Sequence, residues 1–382
     1  MLEPYRMTLP KVVYSGENAL SKISTIVKGI KKVTIFTDQG IVKAGLLTYP
    51  LELLKKGGVE VFIIDSLSPE PTCDQAQSII ECFQAQETEL IIAIGGGSVM
   101  DIAKLASVTP IKTGVRHLLE NPQLAHKTVK TLMIPTTAGT GAEATPNSIV
   151  VVPEKELKVG IVNELMIPDF VILDGVLIKD LPLSIAAATG VDALCHAIEC
   201  FTSKKANPFS DLFALEALDL IMNNIEKACL DPEAMAEKNG MLLGSFYAGV
   251  AIASSGTTAV HALSYPLGGK YRIPHGVSNA MLLVPVMQFN ESKCSWLLAK
   301  VYDRVVKGGS KLTETEKSEW VIERLGEIVK NLEIPTSLSD FGIKADELDV
   351  LVNAGMDVKR LLVNNRRTLS SQDAREIYLQ IM

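Results

Sequence analysis

The sequence predicts a doubly wound α/β domain built on a mostly parallel sheet, followed by an all-helical domain. Three observations carry this expectation. β-branched apolar runs alternate with amphipathic stretches through roughly the first 180 residues, the pattern of βα units. Several of those runs end in turns rich in Gly, Thr or Asp. Beyond Val171-Ile172-Leu173-Asp174 the strand signals fade and the spacing becomes helical. A chain of 382 residues also exceeds one simple core. The boundary is placed near Leu181 and Pro182, giving domains 1–181 and 182–382.

Taken in order, Lys11-Val12-Val13-Tyr14 is a short strand, and Ser15-Gly16-Glu17-Asn18 turns into an amphipathic helix. Val33-Thr34-Ile35-Phe36-Thr37 is β-branched and ends at Asp38-Gln39-Gly40. A helix through Leu53 stops at Gly57-Gly58; Val59 to Ile64 is the next strand and Thr72 to Gln86 the next helix. Glu89 to Ile94 is apolar enough for burial on both faces, and runs into Gly95-Gly96-Gly97-Ser98 and a helix from Val99 to Ser107. Leu132-Met133-Ile134-Pro135 resumes the strand pattern and ends at Thr136-Thr137-Ala138-Gly139-Thr140-Gly141.

Strand, glycine turn and helix together suit a phosphate. Without Cβ atoms the backbone approaches the anion closely, and free N–H groups at the helix start bind it. The motif is G-G-G-S, so the standard G-x-G-x-x-G fingerprint is absent. The plainer reading is a tight turn without a ligand. Two such turns after two sheet strands favour the ligand, because both fall at the carboxyl edge of the sheet. Asp38, also at a strand end, has two readings of equal weight. It accepts hydrogen bonds from an adenosine ribose, its charge disfavouring a 2′-phosphate, or it caps a helix.

Helical spacing in the second half covers Asp211 to Asn223, Met235 to Ser254 and Thr315 to Leu332. Its first long segment holds Gly190-Val191-Asp192-Ala193-Leu194-Cys195-His196-Ala197-Ile198-Glu199. Asp192 and His196 are four apart and face the same side of a helix. His261 follows a small-residue stretch, and His275 is placed on a turn after Pro274. One carboxylate and three imidazoles suit Fe2+ or Zn2+ better than Ca2+ or Mg2+. A metal so held is expected to face a nucleotide on the sheet domain across the cleft between domains, where small-molecule sites form.

Composition excludes other classes. The net charge of −7 offers no basic stripe for nucleic acid. Six cysteines without CxxC spacing read as reduced thiols of a cytoplasmic protein, Cys195 among them as packing. The start shows no apolar signal region, and no unbroken apolar run reaches about 18 residues, so no membrane span is expected.

These motifs resemble those of the iron-containing (group III) alcohol dehydrogenases over essentially the whole chain. The likeness rests on Gly95 to Lys104, Pro135 to Glu143, Gly190 to Glu199, and His261 with Pro274-His275-Gly276. The resemblance implies a Rossmann-like N-terminal domain, an all-α C-terminal domain, one divalent metal (Fe2+, or Zn2+) and NAD(H). By it, Asp192, His196, His261 and His275 are the metal ligands. Gly96, Gly97 and Ser98 form the pyrophosphate loop, and Thr136, Thr137 and Thr140 a second cofactor loop. Asp38 stands at the ribose position, Lys158 at a cofactor-contacting lysine and Asn147 near the nicotinamide. A homodimer or larger homo-oligomer is implied as well. Tyr265 stands where several members have a histidine, which makes it the candidate proton relay; Ile252 replaces a larger aromatic and widens the pocket.

The expected activity is interconversion of a primary alcohol and an aldehyde with NAD(H), with a small-molecule substrate and neither nucleic acid nor membrane as partner. Rival readings are a reductase of a small acidic aldehyde, a dehydroquinate-synthase-like lyase and a nucleotide-binding protein without turnover. The acidic-aldehyde reading depends on Arg272 pointing inward, where an anion would offset a second positive charge beside the metal; the plainer and favoured reading has Arg272 point outward into solvent or a surface ion pair.

Overall fold

The computed structural model describes residues 5–155 and 157–382. Six of its strands form one all-parallel sheet, and the connections through helices explain that direction. The strands are Val12–Ser15 (β1), Lys32–Phe36 (β2), Glu60–Ile64 (β3), Leu90–Gly95 (β4), Lys130–Pro135 (β5) and Phe170–Leu173 (β8). Between β5 and β8, Asn147–Val152 (β6) and Leu157–Val162 (β7) pair as an antiparallel hairpin.

The order across the sheet is β1-β8-β5-β4-β2-β3. The chain therefore builds outward from β2 to β3, then crosses back to lay β4 on the other side of β2. The carboxyl ends of β2 and β4 flank this reversal, the place where open α/β sheets gather ligands. Asp38 follows β2 and Gly95 ends β4, so topology delivers both to one rim. Val33 and Ile35, Ile92 and Ile94, and Leu132 and Ile134 alternate along their strands and share one core cluster. Strand β4 is buried at all six positions, which accounts for its unbroken apolar run.

The chain divides into two compact units, Thr8–Asp180 and a helical unit from Leu181 to Met382, with which residues 5–7 also group. The sequence places those first residues with the sheet. Tyr5 instead packs edge-on against Phe209, ring centroids 5.2 Å apart, and that aromatic contact draws them to the helices.

The helical unit is organised around Leu183–Thr202, buried almost continuously from Ala187 onward. By length and mean hydropathy of 1.3 it could cross a membrane, but 72% of that window is buried inside the protein. It is a core helix, largely apolar because other helices surround it, with Asp192, His196 and Glu199 among its buried polar residues. Pro208–Leu230, Met235–Ser254 and His275–Val305 pack on it. His275 does not lie on a turn. It is the first residue of the His275–Val305 helix, whose N-cap Pro274 has the extended ψ of 138° that precedes a helix start. Gly276 disguised that start, and it is required by packing. A Cβ there would overlap the carbonyl group of Ala188.

Gly276→Ala is therefore expected to force the two helices apart. Loss of at least about 3 kcal/mol of stability, read as a lowered Tm or failure to fold, is the expected outcome. A wild-type Tm would contradict this close approach.

Candidate metal centre and cofactor loops

Three helices bring four side chains together. Asp192 and His196 come from Leu183–Thr202, His261 from the first turn of Ala259–Tyr271, and His275 from the start of His275–Val305. From Asp192 Oδ1 the distances are 3.5 Å to His261 Nε2, 3.7 Å to His275 Nε2 and 3.8 Å to His196 Nε2. One donor atom each from Asp192, His261 and His275 lies within 4.8 Å of the others. His196 stacks on His261, with ring centroids 4.6 Å apart. Asp192, His196 and His261 are buried and His275 is partly open, so the cluster has a protected interior and one accessible side.

Electrostatics follow from that burial. Burial alone would raise the Asp192 pKa, but His196, His275 and His261 hold it well below the carboxylate range. Burial likewise opposes charge on His261, yet the Glu199 and Asp192 carboxylates push its pKa up to about 10. A site this negative attracts positive charge. A borderline divalent cation, which prefers imidazole with one carboxylate, fits the donor set.

Two residues to which the sequence assigns no role complete the cluster. Glu199 is fully buried; one carboxylate oxygen meets His261 Nδ1 in a short hydrogen bond. Its other oxygen accepts from the Thr258 N–H at 3.0 Å, the Thr258 hydroxyl at 2.7 Å and the Val260 N–H at 2.8 Å. Asn279, one turn after His275, donates from Nδ2 to Asp192 Oδ1 at 2.7 Å and reaches His261 and His275 Nε2 at 3.2 and 3.3 Å. Its Oδ1 is buried without a hydrogen-bond partner. Helical spacing was the available signal: Glu199 is two turns beyond Asp192, and Asn279 one turn beyond His275.

Tyr265 lies one turn after His261, and its ring centroid is 6.1 Å from that of His275. The Arg360 guanidinium donates to its hydroxyl at 3.2 Å. Arg272 is exposed at the left-handed C-cap of Ala259–Tyr271. Its charge is solvated, so the cost that would have called for an anionic substrate does not arise. Ile252 is half-buried in the last turn of Met235–Ser254.

In the sheet unit, Gly96 is the N-cap of the Gly97–Ala106 helix, and no side chain caps that end. Its first N–H groups therefore remain available to an anion. A Cβ at Gly97 would lie 2.8 Å from Thr140, so glycine lets the two loops touch. Thr136 N–H donates to the Gly95 carbonyl at 3.1 Å, and Thr137 packs beside Gly96. Beneath them Lys104, fully buried, pairs with Asp101 at 2.9 Å and donates to the Ala142 carbonyl at 2.8 Å. Asp101 in turn accepts from the Ile149 N–H at 3.0 Å, so one ion pair ties both loops to β6.

The remaining cofactor candidates sit around these loops. Ser98 Oγ accepts from the Glu70 N–H at 3.2 Å, and Lys158 pairs with Glu70 at 2.5 Å. Asn147 opens β6 and is half-buried. Asp38 is a helix N-cap: its Oδ1 accepts from the N–H groups of Gly40 at 2.7 Å and Ile41 at 3.0 Å.

Comparison with known proteins gives the family. Residues 10–175 match the family model for iron-containing alcohol dehydrogenases, and residues 186–382 match the C-terminal model of the same family. The chain belongs to the iron-containing alcohol dehydrogenase family. It is an oxidoreductase that interconverts an alcohol and an aldehyde. It is 34% identical to long-chain-alcohol dehydrogenase 1 of Geobacillus thermodenitrificans (strain NG80-2), over 98% of this chain and 95% of that protein. A crystal structure of 1,3-propanediol oxidoreductase superposes with a TM-score of 0.92 at 28% identity, covering 100% of both chains. An iron-containing alcohol dehydrogenase from Thermotoga maritima does so with a TM-score of 0.84 at 30% identity, covering 99% of each. The lyase, acidic-aldehyde and non-catalytic readings gain no support from these relatives.

Glu143, in the second loop, offers a test of the loop's burial. Burial pushes its pKa up to about 7, with Lys104 opposing and Asp101 adding to the shift. A raised carboxyl pKa stabilises the fold at low pH, and that stabilisation is lost as pH rises through the folded value. Glu143→Gln is expected to flatten the decline in Tm between roughly pH 4.5 and 7, the unfolded and folded values. An unchanged slope would mean that Glu143 is not the group responsible.

Proposed function

We propose that this enzyme interconverts a primary alcohol and an aldehyde with NAD(H), using iron held by Asp192, His196, His261 and His275. The observation that carries the reading is the convergence of one carboxylate and three imidazoles from three helices, three of the four buried. Zinc suits the same donors. When bound, the metal supplies Lewis acidity to the reacting oxygen and the nicotinamide supplies or takes up hydride.

The chain's own residues do the rest. Asp192 brings the negative charge that retains a dication, and the imidazoles give it direction. The buried side of the cluster excludes water, while the open side at His275 admits substrate. Tyr265 is the proposed proton carrier beside that opening: Arg360 donates to its oxygen, which leaves the phenolic proton free to point elsewhere. Gly96, Gly97 and Ser98 would hold the pyrophosphate, with Thr136, Thr137 and Thr140 against the second loop. Lys158 and Asn147 are assigned to the cofactor in the same reading. Asp38 would take the ribose through the carboxylate oxygen that the helix cap does not use. A cytoplasmic enzyme agrees with six free cysteines. Self-association, implied by the family likeness, belongs to this reading and is measured by sedimentation of the full chain.

The direct test is aldehyde-dependent oxidation of NADH after loading with Fe2+ or Zn2+. His261→Ala and His275→Ala are each expected to lose bound metal and at least about 100-fold in kcat/KM together. Full metal occupancy in His261→Ala would refute the ligand assignment.

Asp38→Gly is expected to raise kcat/KM with NADPH relative to NADH by about 1–3 kcal/mol, through removal of one charge repulsion. Glycine is tolerated at an N-cap, so the fold should persist. A wild type that already prefers NADPH would overturn the role given to Asp38.

A further inference from the structure

We propose that Glu199 is a positioning residue that determines which nitrogen of His261 is presented to the metal, and that ties this choice to the start of the helix bearing His261. The inference rests on the ligand assignment above. It concerns a residue that makes no contact of its own with the reacting groups.

Both carboxylate oxygens of Glu199 are committed. Oε2 faces His261 Nδ1. Oε1 accepts from Thr258 N–H, Thr258 Oγ and Val260 N–H, with His261 N–H at 3.4 Å. These N–H groups open Ala259–Tyr271, a helix whose own N-cap residue, Thr258, makes no side-chain cap. Glu199 thus caps a helix from a neighbouring one while its second oxygen grips an imidazole. Held at both ends and 0% exposed, it has no freedom to turn away.

The tautomer follows. An ionised carboxylate only accepts hydrogen bonds, so the nitrogen facing it must carry a proton. In a neutral imidazole that leaves the lone pair on Nε2. Nε2 is the atom 3.5 Å from Asp192 Oδ1, among the other donor atoms. The reverse tautomer would aim an N–H into the donor cluster and leave two acceptors, Nδ1 and Oε2, in contact. Outer partners of this kind are typically worth 10–100-fold in metal affinity.

The competing account makes Glu199 a helix cap only, and the two differ in what they move. In Glu199→Gln the amide oxygen still caps, but the NH2 group donates to Nδ1 and places the proton on Nε2. Zn2+ affinity of the full-length protein, by competition with a chelator, is expected to fall about 10–100-fold. Thr258→Val removes one cap donor without touching His261; it is expected to lower Tm and leave Zn2+ affinity unaltered. Nitrogen-15 NMR of histidines in the zinc-loaded wild type should show His261 protonated at Nδ1 and bound through Nε2, a readout that needs no variant to fold. Wild-type Zn2+ affinity in Glu199→Gln, or a His261 bound through Nδ1, would overturn the proposal. If zinc binding is lost in His261→Ala but retained in Glu199→Gln, this inference alone fails. If the wild type binds no zinc, the ligand assignment fails and takes this inference with it.

Discussion

Two carboxylates buried on one helix set the terms for the helical unit. Asp192 and Glu199 are two turns apart on Leu183–Thr202, and each faces an imidazole. An uncompensated buried carboxylate costs several kcal/mol. Glu199 has no partner nearby in the chain, since His261 is some sixty residues away on another helix, and Asp192 draws on His261 and His275 from other helices besides His196 on its own. The helices can therefore bury these groups only by meeting in one arrangement. The charge requirement and the packing requirement select the same geometry.

Small residues make that meeting possible. Gly276 lets the His275–Val305 helix lie against the Ala188 carbonyl, and Gly190 sits against Ile225 and Met241. His275 is thereby delivered at a helix start, where the backbone has left the extended conformation of Pro274. Asn279, one turn further, then falls among the donor atoms. A site of this kind is precise because its ligands stand on packed helices rather than on loops.

The sheet unit solves a different problem with similar means. Its two loops must approach closely while leaving backbone N–H groups free. Gly97 permits contact with Thr140, and the buried Asp101–Lys104 pair fastens the loops from below. Asp38 combines a structural role with the one proposed for the cofactor, since only its Oδ1 is occupied by the helix cap. The hairpin β6–β7 falls outside the βα alternation, although Ile149-Val150-Val151-Val152 is itself a β-branched run. Its two strands pair with each other outside the main sheet, with one further bridge from Val151 to Thr72, and no alternating βα signal accompanies them.

The sequence by itself determined the periodic features: the parallel strands, the change to helices near Leu181, and the shared face of Asp192 and His196. Period and composition act locally, and burial of strands and helix faces reads directly in them. The order of four motifs also carried the family likeness, because those motifs keep the residue types their chemistry requires. What only the tertiary structure decided was convergence. Nothing near His261 in the chain indicates that Glu199 receives its Nδ1 or caps its helix, and the choice between an outward and an inward Arg272 is made by its place at a helix end. Such outcomes depend on how helices distant in sequence are placed by close packing and by the need to pair buried charge, and neither condition has a local signature.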